Sequence, residues 1–225
     1  MLTVGWFSGG VSSAVAIKLV LDEVDKIIYI HVEDQHEDTM RFVRDCAKWY
    51  GKPIELLQSP LKSVDNALRS SAKAGGKGYI ASPYHGAKCS HILKRGVREI
   101  WEYNYQDVDL RYVWGFDYSE VARAKRTREK TYKYRHLFPL INHKIQKAEA
   151  HKMLADWGIE RPKMYDMGYN NNNCIGCVMG GKGYWNKIRK DFPDVYLDRV
   201  LMEHELQAQC MTRISLADLS PDEGE

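Results

Sequence analysis

No apolar run in the chain approaches the roughly 18 residues that a membrane span requires, so no membrane partner is expected. An excess of one charge sign is also missing. Lys and Arg number 33 against 30 Asp and Glu, a net +3. That balance is too mild to imply a nucleic-acid partner, although a local cluster can still act by itself. Cysteine is scarce: Cys46, Cys89, Cys174, Cys177 and Cys210. An odd count without a secretory layout argues against a disulfide framework. Residues 1–7 run straight into a strand-like segment with no charged-then-apolar leader, so a reducing, cytoplasmic setting is expected. There a Cys-x-x-Cys is more often metal-binding or redox-active than bridged.

With 44% hydrophobic and 28% charged residues in a chain of 225, the composition is that of a globular protein. No internal repeat and no clear linker interrupts it. The expected division is one domain over residues 1–200 and a C-terminal helix with an acidic tail over 201–225. The tail, with Asp218, Asp222, Glu223 and Glu225, is expected to fray.

Apolar spacing sets the expected elements. Residues 2–7 read as a buried strand and 14–24 as a helix. Residues 26–32 are an Ile-rich strand, 38–50 an amphipathic helix ended by Gly51 and Pro53, and 54–57 a third strand. Strands alternating with helices imply βαβ units and a mostly parallel sheet. Residues 59–82 hold a helix and a mobile loop, Ala74-Gly75-Gly76-Lys77-Gly78. Further helices are expected over 89–103 and 144–157, and a strand over 110–114. The fold class is α/β, doubly wound, with a C-terminal cysteine-bearing helical or loop segment.

Ser8-Gly9-Gly10-Val11-Ser12-Ser13 lies between a strand and a helix. Glycines let backbone N–H groups approach an anion, the helix N-terminus adds its dipole, and hydroxyls supply further bonds. It is neither a Walker A loop nor G-x-G-x-x-G, and a plain turn capped by serine would look the same. The loop resembles the PP-loop, S-G-G-x-[DS]-S, of the adenine-nucleotide α-hydrolase-like superfamily, a Rossmann-like group that includes ATP pyrophosphatases and sulfonucleotide reductases. Later segments resemble the phosphoadenylyl-sulfate (PAPS) reductase family. They are Glu37-Asp38-Thr39, Cys89-Ser90-His91-Ile92-Leu93-Lys94, and Trp114-Gly115-Phe116 with Glu120 and Arg123. Pro139-Leu140-Ile141, Tyr165, Gly168 and Cys174-Ile175-Gly176-Cys177 complete the series. The resemblance implies that Ser8, Gly9, Gly10, Val11, Ser12, Ser13 and Gly115 bind ATP or an adenylyl sulfate, with Mg²⁺ an open question because ATP pyrophosphatases usually carry Asp where Ser12 stands. Ser90 replaces one of the family's paired cysteines. Cys210, in Ala-Gln-Cys-Met-Thr, matches the reductases' Glu-Cys-Gly-Leu/Ile-His nucleophile segment poorly.

Cys174 and Cys177 are spaced so that two thiolates can face one metal centre. Cys89 lies 85 residues before Cys174, a separation resembling that of the iron–sulfur members, which implies a [4Fe–4S] cluster on Cys89, Cys174 and Cys177. Zinc, with a His or Cys210 added, and dithiol redox chemistry are the alternatives. Cys46 reads as a small core residue. Among the histidines His85 stands out by its nearness to Cys89. The run 123–135 holds seven cations against Glu129. By itself it is a solvated face, but ligands of a doubly wound sheet sit outside the carboxyl ends of its strands. Following the strand at 110–114, Arg123 and Arg126 could then act with Ser12 on phosphate or sulfate, and the rest could meet an anionic acceptor such as a nucleic acid. Gly180-Gly181-Lys182-Gly183 reads as a tight turn, and Trp185, Ile188 and Phe192 as a packing stripe. The expected activity is ATP-dependent adenylylation with sulfur transfer. Sulfonucleotide reduction and a non-catalytic nucleotide sensor are the alternatives, and a homo-oligomer is left open.

Overall fold

The computed structural model describes residues 1–73, 80–82 and 86–224. The Ala74 to Gly78 loop, His85 and Glu225 lie outside the described residues. The helices are α1 (Val11–Leu19), α2 (Asp38–Tyr50), α3 (Val64–Lys73), α4 (Lys88–Ser90), α5 (Gly96–Tyr103), α6 (Val121–Lys130), α7 (Pro139–Asn142), α8 (Lys147–Asp156), α9 (Lys163–Asp166), α10 (Lys182–Asp191) and α11 (Pro193–Leu206). The strands are β1 (Leu2–Phe7), β2 (Lys26–His31), β3 (Ile54–Gln58), β4 (Ala81–Ser82), β5 (Gly86–Ala87), β6 (Leu110–Val113) and β7 (Arg135–Leu137). Between α4 and α5, His91–Arg95 is wound as a π-helix.

Five strands form one sheet in the order β3-β2-β1-β6-β7. The pairs β1–β2, β1–β6 and β6–β7 are parallel, as the alternating sequence pattern requires. The order runs outward from β1 to β3 on one side and through β6 to β7 on the other. It therefore reverses between β1 and β6, the place where open α/β sheets bind ligands at their carboxyl ends. The short pair β4–β5 is antiparallel.

The chain divides into two compact units, one of residues 1–30, 36–57 and 101–172, the other of 31–35, 58–100 and 173–225. In the first, Phe7, Val15, Ile17, Tyr29, Phe42, Val113, Leu140 and Leu154 share one core, and Val4, Trp6, Ile28, Trp101, Leu110 and Tyr112 share another. Each of the two clusters contains residues of β1, β2 and β6, whose near-continuous apolar sequences suit strands buried on both faces.

Several boundaries differ from the apolar spacing. The first helix starts at Val11, inside the glycine loop, and ends at Leu19; Leu21–Glu23 is a 3-10 turn. Helix α8 begins at Lys147 rather than 144, because Lys144 takes a left-handed conformation at φ 58° that ends the preceding turn. The expected fraying of the tail is corrected. In the second unit Leu216 and Leu219 are buried. The Tyr196 hydroxyl donates to the Leu216 carbonyl, and Asn186 Nδ2 donates to the carbonyls of Ser220 and Glu223. Two leucines on an acidic segment are enough to dock it. Trp185 and Ile188 are buried as the packing stripe requires.

Candidate functional site

In the first unit β1 delivers Ser8 at its carboxyl end, and the chain turns at Gly9 with φ +76°, a left-handed conformation that suits glycine. A Cβ there would stand 3.0 Å from Thr39 Cγ2 and 3.2 Å from the Tyr29 ring. Gly10 precedes α1 with extended backbone, and its Cβ would come within 3.0 Å of the Tyr165 hydroxyl. Ser13 Oγ donates to the Gly10 carbonyl (2.9 Å), accepts from the Ser8 N–H (3.1 Å) and lies 2.9 Å from Ser8 Oγ. Its one proton goes to Gly10, so Ser8 Oγ must be the donor between the two hydroxyls. Ser13 therefore staples the loop, whereas Ser12 is half-buried. The Val11 N–H donates to the Tyr165 hydroxyl at 3.4 Å. The first turn of α1 carries no acidic side chain, and first-turn N–H groups have no acceptor within the helix. The loop thus offers an anion its backbone dipoles without a competing carboxylate.

Asn172 and Gly115 brace that loop, and Asp38 ties the start of α2 beside it. Asn172 Nδ2 donates to the Gly9 carbonyl at 2.7 Å and to Thr39 Oγ1 at 3.1 Å. Asp38 accepts from Arg41 Nε (2.6 Å) and Nη2 (2.9 Å) and from the Lys163 N–H (2.9 Å). Hydrogen bonds from the Arg41 guanidinium hold the Asp38 carboxyl below its ordinary pKa, against the opposing effect of burial. Gly115, just past β6, packs on the start of α1: a Cβ would fall 2.4 Å from Ser13 Cα and 2.6 Å from its N. The expected nucleotide residue Gly115 thus abuts the loop through the absence of a side chain. Tyr165 packs edge-on to His151, with ring centroids 4.6 Å apart. Burial lowers the His151 pKa, assisted by Arg161 and Lys147. Among the described residues its buried Nδ1 has no hydrogen-bond partner.

Arg123 Nη1 donates to Glu120 Oε1 at 2.5 Å, and its guanidinium lies 4.4 Å from the centre of the Phe116 ring. Arg126 is exposed on α6.

In the second unit the Cys174-Ile175-Gly176-Cys177 turn is clamped through its backbone. Cys174 bridges Gln35, and the Ile175 N–H donates to the Asp34 carbonyl at 2.8 Å. The Tyr184 hydroxyl accepts from the Cys177 N–H (2.8 Å) and donates to the Cys174 carbonyl (3.2 Å). Gly176 sits at φ +68°, and its carbonyl accepts from Arg199 Nε at 3.2 Å. Arg199, 3% exposed, also pairs with Asp34 (2.8 Å) and Asp65. A buried guanidinium is tolerable only when its donors are satisfied; here two carboxylates and a carbonyl satisfy it.

All five cysteines are free thiols. Burial pushes Cys89 up to about 11, with Cys177 adding to the effect, and Cys174 up to about 12, with Cys177 and Cys89 adding. The three expected ligands thus share one electrostatic environment. Among the described residues, no three His, Cys, Asp or Glu side chains are grouped to hold a single ion. Cys210 is buried, its thiol pKa raised by burial and Glu203, and its N–H donates to Glu203 Oε1 at 2.6 Å. Cys46 is fully buried, as expected for a core residue.

Sequence reasoning missed Asn172, His151, Tyr184 and Arg199. Asn172 lies in a run of four asparagines that marks a loop without saying which member turns inward. No helix of the described residues is long and apolar enough to cross a membrane.

The chain matches the family model described as "Phosphoadenosine phosphosulfate reductase domain" over residues 3–181. An uncharacterized protein of Methanocaldococcus jannaschii is 27% identical over 206 residues. That match takes in 88% of this chain but 41% of the relative, so the chain spans well under half of that protein's length. Among solved structures, the phosphoadenylyl-sulfate (PAPS) reductase of Candida auris, a phosphate complex, superposes with a TM-score of 0.53. The superposition is at 12% identity and covers 77% of this chain and 81% of that one, a likeness of fold.

Proposed function

Since the chain belongs to the phosphoadenosine phosphosulfate reductase domain family, within the PP-loop superfamily, we propose that it is an ATP-dependent enzyme that adenylylates an oxygen of its substrate and replaces it with sulfur. The observation that carries this reading is the stapled loop of residues 8–13 at the sheet's switch point, with a helix N-terminus free of acidic side chains behind it. The substrate oxygen attacks the α-phosphorus and pyrophosphate leaves. Loop N–H groups and the Ser12 hydroxyl hold the departing phosphates, and Arg123 and Arg126 offset the charge that develops. A sulfur nucleophile then displaces AMP. Asn172 and Gly115 keep the loop in place by fixing Gly9 and abutting Ser13.

The cysteine site fits a metal group. The Cys174 to Cys177 turn is held through its backbone by Tyr184 and Asp34, and three cysteine sulfurs are a donor set that suits iron or zinc. The resemblance to the iron–sulfur members of the family favours a [4Fe–4S] cluster over zinc. Cys89, Cys174 and Cys177 would hold it, and it would supply a place to present sulfur. The reductase alternative needs a reachable thiol outside this set. Cys210, buried and tied to Glu203, is poorly placed for that.

Calorimetry with ATP, AMP and adenylyl sulfate, together with anaerobic iron, sulfide and zinc analysis, tests the reading. ATP is expected to bind, Ser12→Ala and Arg126→Ala to lose turnover, and Cys210→Ser to retain it. Sulfite release from adenylyl sulfate, lost in Cys210→Ser, would establish the reductase instead. Folded, metal-loaded protein that binds no adenine nucleotide would sink both.

A further inference from the structure

We infer that the face built by α6 and the turn into β7 is a docking surface for a single-stranded nucleic acid. The outward residues of α6 are Ala122, Lys125, Arg126, Glu129 and Lys130, and all are exposed. One acid among three cations on that face leaves a positive strip, and Arg128 extends it, while Arg123 is paired with Glu120. Arg126 and Lys130 are one helical turn apart, about 6 Å along the axis, a spacing that lets adjacent phosphates of an extended strand each meet a cation.

Charge alone would describe any solvated helix. Aromatic placement makes this face different. Trp114, Phe116, Phe138 and His136 form a stacked group: Trp114–Phe116 centroids are 5.9 Å apart at 21°, Phe116–Phe138 5.7 Å at 22°, and His136–Phe138 6.0 Å at 19°. The Arg123 and Arg128 guanidinia lie over Phe116 and Phe138, at 4.4 and 5.4 Å. Cations held on rings lose less freedom when they take up a phosphate. At the end of α6, Tyr132 is 85% exposed, and Tyr118 stands 40% exposed before the helix. Exposed rings beside a cationic strip are the two parts of a single-strand platform: cations follow the backbone, and rings stack on unpaired bases. A small anion would need neither the length nor the outlying tyrosine. The strip also follows directly from β6 through Gly115, which abuts Ser13 of the phosphate loop.

The inference relies on the proposed adenylylation only for the purpose of binding, so it is tested without nucleotide. Full-length protein is titrated into fluorescently labelled 20-nucleotide RNA and DNA single strands and the matching DNA duplex, at several salt concentrations and with heparin as competitor. Single strands are expected to bind more tightly than the duplex. Lys125→Ala/Lys130→Ala is expected to weaken binding about tenfold and to flatten the salt slope by about 1.4, near 0.7 for each lost phosphate contact. Tyr132→Ala is expected to cost about tenfold with the slope unchanged. All three side chains are exposed, so folding is spared. Equal binding of strand and duplex with Tyr132→Ala neutral would reduce the face to unspecific polyanion attraction and overturn the inference, as would no binding at low salt. Strand binding without ATP binding would retain this surface and remove the proposed adenylylation. The converse would do the opposite.

Discussion

A missing methyl group decides more at this site than most side chains that are present. At Gly115 a Cβ would overlap the backbone of Ser13, 2.4 Å from Cα and 2.6 Å from N, and backbone cannot turn aside as a flexible side chain can. Gly115→Ala is therefore expected to push α1 away from the end of β6, costing about 1–3 kcal/mol of stability and more than tenfold in ATP affinity. Chemical denaturation and calorimetry on the same sample check both. Unchanged affinity would show that the contact is slack. The glycine itself is visible in the sequence, in Trp114-Gly115-Phe116, but its partner is not, because 102 positions separate it from Ser13. Asn172 and Arg199 were illegible for the same reason. Each acts on a carbonyl, of Gly9 and Gly176 respectively, and a backbone acceptor leaves no mark in a residue pattern.

Among the elements, α2 was readable to the residue. Its apolar positions recur at helical spacing, and Gly51 ends it at φ +64°. Helix α1 was less legible because six of its nine residues are buried, which blurs an amphipathic period, and its first turn is written in serines that also suit a loop. At the start of α2, Asp38 joins its own helix to Lys163 of α9 through Arg41 and a backbone N–H. The Asp38 carboxyl is held below its ordinary pKa in the folded chain. Its stabilisation is thus complete above the unfolded value near about 3.9 and is lost as pH falls through the lower folded value. Asp38→Asn is expected to lower stability by about 1–3 kcal/mol at neutral pH, with the gap to wild type narrowing as pH falls below the unfolded value. Urea midpoints at pH 7 and pH 3 measure it. A gap that stays constant would assign the effect to packing rather than charge.

For the molecule as a whole, the sheet order was legible only as a class. The alternation of apolar runs gave βαβ units, but not that β6 would pair with β1 and create the reversal at which the Ser8 to Ser13 loop lies. The acidic C-terminal segment misled in the opposite direction: its charge suggested solvent, while Leu216 and Leu219 anchor it to the second unit. Removing residues 215–225 is expected to cost about 3–6 kcal/mol, from two leucine side chains, and to leave Glu203 Oε2 without the Leu216 N–H that donates to it. Thermal unfolding of the shortened chain tests this; a transition unchanged from the full chain would return the segment to the frayed class.

The π-wound turn at His91–Arg95 makes chain length itself a variable of the chemistry. A π turn holds one residue more than the α turn it replaces. Deleting a single residue there would let the ladder close as ordinary α-helix and swing Cys89 by about 100° relative to residues 96–100. Such a chain would keep its helix content and its three cysteines, yet aim one thiol elsewhere. Iron analysis set beside circular dichroism would separate the two effects if Cys89 holds the proposed cluster, and a relative one residue shorter at this turn would then carry the same cysteines without the same metal.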